Sequence, residues 1–452
     1  MAAGTRPNVI LFFTDQQRWD TTGVHGNPLE LTPNFDRMAA EGTHLSRFFT
    51  CQPVCAPARS CLQTGQYATT TGVYRNGIPL AQDAVTLARV FGAAGYATGY
   101  IGKWHLGPHA RGEAVAPEGR GGYQEWLAAN SLEMCSDTYR TVLYDEAGAP
   151  VRLPGYRVDA LTDAAIRFVD RHQADPFLLC LSFLEPHHQN HLDDYPPPTG
   201  YRERYTGRWV PPDLAALGGS SAQHLGGYFG MVKRLDEAMG RLQDALASLE
   251  LERRTIVVFL SDHGNHFKTR NDEYKRSCHE SSIRVPGAIR GPGFDGGGRI
   301  RQLVSIVDIA PTLIEAAGLA IPDGVQGRSI LPLLGGTRPP WPEEVFVQIS
   351  ESQVGRAVRT ERWKYGLTAP DVGGGDAPGA ATYVEEYLYD LAADPYELTN
   401  LLGRTSHQEV ARILRERLIR RMVEAGEAAP EILPAPPLPG GQRHLSGEEA
   451  RA

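Results

Sequence analysis

No stretch of this sequence approaches the roughly 20 consecutive apolar residues that a membrane-spanning helix needs. Nor is there a basic excess of the kind that grips nucleic acid, since 45 Lys and Arg face 53 Asp and Glu and the net charge is -8. The first apolar run, residues 9–13, is too short for the core of a secretory leader and meets Asp15 almost at once. Cysteine is scarce. The six present (Cys51, Cys55, Cys61, Cys135, Cys180 and Cys278) show neither a disulfide framework nor the paired spacing of a zinc site. Cys180 falls inside an apolar run and reads as a small core residue. Internal repeats are also missing. These absences exclude membrane spanning and broad nucleic-acid binding, and they lead to the expectation of a cytoplasmic protein. What remains is ordinary globular composition, 41% hydrophobic and 22% charged, in 452 residues. That length accommodates one large domain and a smaller one.

Four short apolar runs share one habit, in that each ends in chemically capable residues. Residues 9–13 lead to Thr14-Asp15-Gln16, and 96–101 lead to Gly102-Lys103-Trp104-His105. Residues 177–183 lead to Glu185-Pro186-His187-His188, and 256–260 to Ser261-Asp262-His263. Near-continuous apolar strands suit a sheet buried on both faces. Helical patterns alternate with them: Thr32-Pro33-Asn34 opens one that stops at Gly42, and residues 159–171 and 228–249 carry apolar residues at helical spacing. The expected fold is therefore α/β, with a large, mostly parallel sheet flanked by helices. Ligands in such folds bind beyond the carboxyl ends of the strands, where these four runs deliver Asp, Lys and His.

A catalytic domain is expected over residues 1–340. Within it, residues 185–213 form a long proline-rich excursion, read either as a rim over the site or as a surface loop packed on the fold. A smaller α+β subdomain is expected over 341–425, with a short antiparallel sheet from strands near 345–349, 355–360, 363–367 and 387–391 and a helix over 407–424. Residues 426–452 read as a Pro/Gly-rich tail, extended, disordered, or reaching to a neighbouring subunit.

Cys55-Ala56-Pro57-Ala58-Arg59, followed by Thr64-Gly65, is the most informative segment. Taken alone, a cysteine beside a proline and an arginine also suits a structural turn. The segment resembles the signature of the formylglycine-dependent sulfatases of the alkaline phosphatase superfamily. The resemblance implies that a maturation enzyme oxidises Cys55 to formylglycine, whose hydrate attacks the sulfur of a sulfate ester. It also implies an alkaline-phosphatase-like fold. Arg59, one helical turn on from Cys55, would steady the modified side chain.

The other motifs extend the likeness. Asp15 and Gln16, with Asp262 and His263, sit at two strand ends and could hold one divalent ion, although Asp15 alone suits a strand-end cap equally. The family likeness assigns these four positions to the metal. Oxygen donors favour Ca2+, with Mg2+ or Mn2+ as alternatives. Gly102-Lys103-Trp104-His105-Leu106-Gly107 resembles the family's sulfate-contacting segment, which implicates Lys103 and His105. Leu181 to His187 resembles its strand ending in Pro-His, with His187 as general acid and His188 beside it. Lys275 resembles the lysine that touches a sulfate oxygen, and His279 stands where the family has a tyrosine. Val358-Arg359-Thr360, Leu388-Tyr389-Asp390-Leu391 and Asp394-Pro395 resemble the family's C-terminal subdomain, so the likeness spans residues 7–402.

The implied substrate is a small sulfated sugar, aryl or alkyl alcohol. Whether the chain forms a homo-oligomer is left open by the sequence. One alternative is a phosphonate monoester or phosphodiester hydrolase of the same superfamily, which shares the Asp-Gln and Asp-His pairs. A non-catalytic metal- or ester-binding relative is a second. A zinc hydrolase built on His187, His188, His191 and Asp193 is a third.

Overall fold

The computed structural model describes residues 6–108, 113–335 and 339–438. Its larger sheet has ten strands, and the central five are parallel. In spatial order they are Thr255–Ser261, Asn8–Thr14, Phe177–Ser182, Ala97–Lys103 and Glu125–Ala129. The run Val9 to Phe13 has no polar alternation because both faces of its strand are covered. Val9, Leu11 and Phe13 face one core with the helices Cys55–Thr64, Leu87–Ala93 and Ile309–Ala316. Ile10 and Phe12 face a second core with the helices Pro33–Glu41, Arg157–Arg171 and Ser221–Ser248. The two-residue period of the strand sorts one apolar run into two cores.

The edges of the sheet depart from the parallel expectation. Thr141–Tyr144 and Pro150–Leu153 add antiparallel strands beyond Glu125–Ala129, and Gly287–Arg290 lies antiparallel to both Thr255–Ser261 and Thr43–Leu45. These strands are three to five residues long. They are too short to produce a periodic signal, so the sheet is mixed around a parallel centre.

A second sheet of five strands follows. Glu344–Ile349, Gly355–Thr360, Trp363–Thr368 and Thr382–Asp390 run antiparallel, and the last begins five residues before the expected 387. The segment after Gly426 is not a loose tail over its described length. Glu431–Leu433 pairs in parallel with Thr382–Asp390 of the same chain, and Glu427 binds Arg356 at 2.8 Å. The prolines around it hid a strand that borrows its register from its neighbour. Residues 439–452 lie outside the described residues.

The two sheets meet through Phe49, Cys278, Ile283 and Leu303 on one side and Val345, Val347 and Ile349 on the other. A buried ionic cluster adjoins them, in which Lys364 reaches Glu280 at 3.0 Å and Glu397 at 2.5 Å. Residues 185–213 pack on the fold: Tyr195 and Tyr205 bury against Leu225, Tyr228 and Phe229 of the long helix. Among the described residues, no helix is long and apolar enough to cross a membrane.

Candidate active site

Cys55 is the first residue of the buried helix Cys55–Thr64, and its side chain looks onto the carboxyl ends of the central strands. Arg59 lies one turn along the same face. Its guanidinium binds Asp15 Oδ2 at 2.9 Å, Asp262 Oδ2 at 3.1 Å, the Lys103 carbonyl at 2.8 Å and Ser182 Oγ at 2.7 Å. It therefore ties the ends of four strands to the helix. At 1% exposure it has no freedom to move.

The Cys55 sulfur is surrounded by cations and imidazoles. Lys275 Nζ lies at 2.9 Å, His263 Nε2 at 3.3 Å and Lys103 Nζ at 3.8 Å. The His105 side chain faces the same sulfur. Burial raises the thiol's pKa, but Lys103, Lys275 and His263 outweigh it and hold it well below its usual value. Lys103 is fixed by Asp15 Oδ2 at 2.8 Å and Glu133 Oε1 at 3.2 Å.

The turn that presents Lys103 depends on its neighbour. Gly102 has φ +108°, and a Cβ there would sit 1.9 Å from the Ser182 carbonyl oxygen. Only glycine fits that approach.

One carboxylate oxygen each from Asp15 and Asp262, His263 Nε2 and the Cys55 sulfur lie within 4.8 Å of one another. Nδ1 of His263 donates to the Gly264 carbonyl at 2.9 Å, which leaves Nε2 with its lone pair directed inward. Gln16, in a left-handed turn at φ 66°, donates its backbone N–H to Asp262 Oδ1 at 3.0 Å. Its Nε2 is buried without a partner. Rotating that amide would exchange nitrogen for oxygen at the orphaned position. Burial and the Asp15 charge push Asp262 up to about 6. Burial and the Cys55 sulfur also act to raise Asp15, but Lys103, His187 and Arg59 prevail and hold it well below the usual carboxylate range. Crowded carboxylates, one inward imidazole nitrogen and an unsatisfied amide fit a divalent cation.

His187 donates Nδ1–H to the His188 carbonyl at 2.6 Å and presents Nε2 to Lys275 Nζ at 3.1 Å. Burial and the Lys275 charge lower its pKa. His188 stacks on it at 4.3 Å, with Nδ1 3.4 Å from Gln16 Oε1.

Thus Cys55, Arg59, Lys103, His105, His187 and Lys275 converge with Asp15, Gln16, Asp262 and His263. His279 does not join them; its Nε2 meets Tyr389 OH at 3.2 Å, at the junction with the second sheet. The zinc set does not assemble either. His191 pairs with Asp137 at 3.1 Å, and Asp193 accepts from Tyr274 OH at 2.7 Å. Cys51 and Cys61 lie in the core beside Ala58 and Leu62.

Two residues near the centre were not anticipated. Glu133 follows a five-residue strand that carried no apolar signature, and Ser182 looked like strand interior. Nothing in their local sequence marks them; only the folded contacts with Lys103 and Arg59 do.

Residues 7–319 match the family model described as Sulfatase, and residues 272–424 match that described as N-sulphoglucosamine sulphohydrolase, C-terminal. An ulvan-active sulfatase of Formosa agariphila is 30% identical over 94% of this chain and 82% of its own length. Human arylsulfatase A is 28% identical, over 89% of this chain and 85% of its own. Among solved structures, a phosphonate monoester hydrolase of Agrobacterium radiobacter superposes with a TM-score of 0.73 at 25% identity, covering 93% of this chain and 96% of that one. A putative sulfatase of Bacteroides fragilis reaches 0.82 at 24% identity, covering 94% and 98%.

Proposed function

Given that the chain belongs to the sulfatase family and is a sulfuric ester hydrolase acting on a small sulfated substrate, we propose that residue 55 is its nucleophile and that the substrate is a sulfated sugar. One observation carries the reading of the site: Lys275, His263 and Lys103 converge on a single buried sulfur at 2.9, 3.3 and 3.8 Å, next to two carboxylates. A structural cysteine has no need of such surroundings. The sugar is supported by the ulvan-active relative and by an N-acetylglucosamine-6-O-sulfatase of Bacteroides thetaiotaomicron at 25% identity.

The family implies that residue 55 works as formylglycine, made from Cys55 by a maturation enzyme. The hydrated aldehyde carries two hydroxyls on one carbon. One attacks the ester sulfur and displaces the alcohol; deprotonation of the other then expels sulfate and restores the aldehyde. Arg59, held by Asp15 and Asp262, offers a fixed cation to the diol and the sulfuryl oxygens. Lys103 and Lys275 stabilise charge as it builds on those oxygens. His105 is assigned a hydrogen bond to the same oxygens. The leaving alcohol takes its proton from the Lys275–His187 pair. Within that pair His187 is assigned as the general acid, with Lys275 Nζ 3.1 Å from its Nε2.

Asp15, Gln16, Asp262 and His263 would hold a divalent ion, whose bound charge polarises the ester and acidifies the attacking hydroxyl. The excess of oxygen donors supports Ca2+.

Phosphonate monoester hydrolysis is the second reading, supported by the Agrobacterium structure and by the Asp-Gln and Asp-His pairs. The cationic Lys103 and its neighbour His105 weigh towards sulfate. The deciding experiment uses protein made aerobically with the maturation enzyme. The peptide containing residue 55 should be lighter by the exchange of thiol for aldehyde, and an aryl sulfate should be cleaved faster than the matching phosphonate monoester. An unmodified thiol would refute the nucleophile, and a reversed rate order would favour the second reading.

A further inference from the structure

The carboxyl edge of the larger sheet opens into a cleft of about 700 Å³. Glu133, Ser136, Tyr139, Arg140, Arg152 and His191 line it. They come from the turn after Glu125–Ala129, from the adjoining hairpin and from the loop after Phe177–Ser182.

Glu133 connects this cleft to the reaction centre. Its Oε1 is 3.2 Å from Lys103 Nζ, which is itself 3.8 Å from the Cys55 sulfur. Its Oε2 is buried without a hydrogen-bond partner, in a residue only 8% exposed. A buried carboxylate oxygen without a donor is costly, and a side-chain rotation that turns it to the cleft would let a substrate hydroxyl satisfy it.

The outer wall has the opposite character. Asp137 is already paired with His191 at 3.1 Å. The guanidinium groups of Arg140 and Arg152 are exposed and have no side-chain or carbonyl partner among the described residues. Arg140 and Arg152 thus offer two forked cations beside the Asp137 carboxylate, each able to bind one sulfate or carboxylate through two hydrogen bonds. A somewhat larger cavity, of about 740 Å³, lies between Trp341 and Trp363 and contains no residue of the reaction centre. Its Arg47, Arg362 and Arg417 are already paired with Glu361, Asp390 and Glu343.

We propose that the Glu133–Arg140–Arg152 cleft is the leaving-group subsite, and that it takes a sugar carrying a free hydroxyl near the scissile ester and a second anionic group farther out. The inference rests on the sulfatase reading. Glu133 accepts the hydroxyl hydrogen at the inner end, and Arg140 and Arg152 clamp the second anion at the mouth. An uncharged sugar monosulfate fills only the inner half.

The test compares kcat/KM of the matured holoenzyme on four substrates: an aryl sulfate, an uncharged sugar monosulfate, the same sugar with a second sulfate, and the monosulfate linked to a uronate. Wild-type enzyme should prefer a doubly anionic sugar to the monosulfate by about tenfold or more, the factor expected of one charge-assisted hydrogen bond. Whichever anion gains more identifies its source. In the Arg140→Ala/Arg152→Ala double variant the preference should fall to about one, and added salt should erode it in wild type alone. Single Arg→Gln variants at these exposed positions apportion the effect without threatening the fold. No preference in wild type, or an undiminished one in the double variant, overturns the subsite while leaving the sulfatase reading intact. Wild-type enzyme inert towards all four sulfates overturns the reading and the subsite together.

Discussion

The ammonium of Lys275 stands 2.9 Å from the sulfur of Cys55, although 220 residues separate the two in the chain. The same nitrogen lies 3.1 Å from Nε2 of both His187 and His263. It thus contacts the Cys55 sulfur and both imidazoles at once. Removing its charge while keeping its length isolates that role. Lys275→Met should lower kcat by about 10²–10³, the range seen when one preorganised donor to a developing charge is lost. Steady-state rates on an aryl sulfate read this directly. A variant within a factor of two of wild type would show that Lys275 is a bystander.

The cluster of Asp15, Asp262 and His263 sets up a test that does not depend on turnover. Without a cation, Asp262 is pushed up to about 6 by burial and by Asp15. A bound divalent ion removes that conflict, so adding Ca2+ to chelator-treated protein should raise Tm in a concentration-dependent way. Asp262→Ala should abolish the rise and lower metal content by elemental analysis. A variant that keeps both would sink the ligand assignment.

The residues legible in the sequence are those that end long, fully buried strands. Asp15, Lys103, His187 and Asp262 each follow an apolar run whose only explanation is a sheet covered on both faces, and the ends of parallel strands meet in space. Cys55 and Arg59 were legible through the resemblance of Cys55-Ala56-Pro57-Ala58-Arg59 to the sulfatase signature, since taken alone the segment suits a structural turn equally well. Glu133 was not, since it lies in the four-residue helix Leu132–Cys135, after a short strand that holds a glutamate and two alanines. Its importance comes from Lys103 folding across to it. The strand Glu431–Leu433 was hidden for a related reason: in a parallel edge pair, the partner supplies the order that the local sequence lacks.

Gly102 links the fold to the site through backbone alone. At φ +108° its Cα faces the Ser182 carbonyl so closely that a Cβ would come within 1.9 Å. The next residue's carbonyl accepts from both Arg59 Nη1 and Ser182 Oγ, each at 2.8 Å. Gly102→Ala must therefore move one strand end, with a cost of roughly 2 kcal/mol or more from strain. Tm should fall, and kcat should fall more than KM rises, because Arg59 and Lys103 shift together. Unchanged Tm and kcat would mean that the strand ends yield more freely than this geometry allows.

Glu133 makes a prediction whose sign is set by its surroundings. Burial raises its pKa, but Lys103, His105 and His187 outweigh that and bring it down to about 2, against an ordinary 4.5. A carboxylate with a lowered folded pKa stabilises the protein above the unfolded value and loses that contribution as pH falls through the folded one. Glu133→Gln should therefore cost most at neutral pH, up to about 3 kcal/mol from the size of the shift. The gap between wild type and variant should hold down to about pH 4.5 and narrow below it. Urea midpoints near neutrality and near the acid end of the stable range measure the gap. A gap that stays constant with pH would mean that packing, not the Lys103 pairing, is what the variant removes. A gap that widens on acidification would contradict the charge assignment at Glu133 and, with it, the inner wall of the proposed subsite.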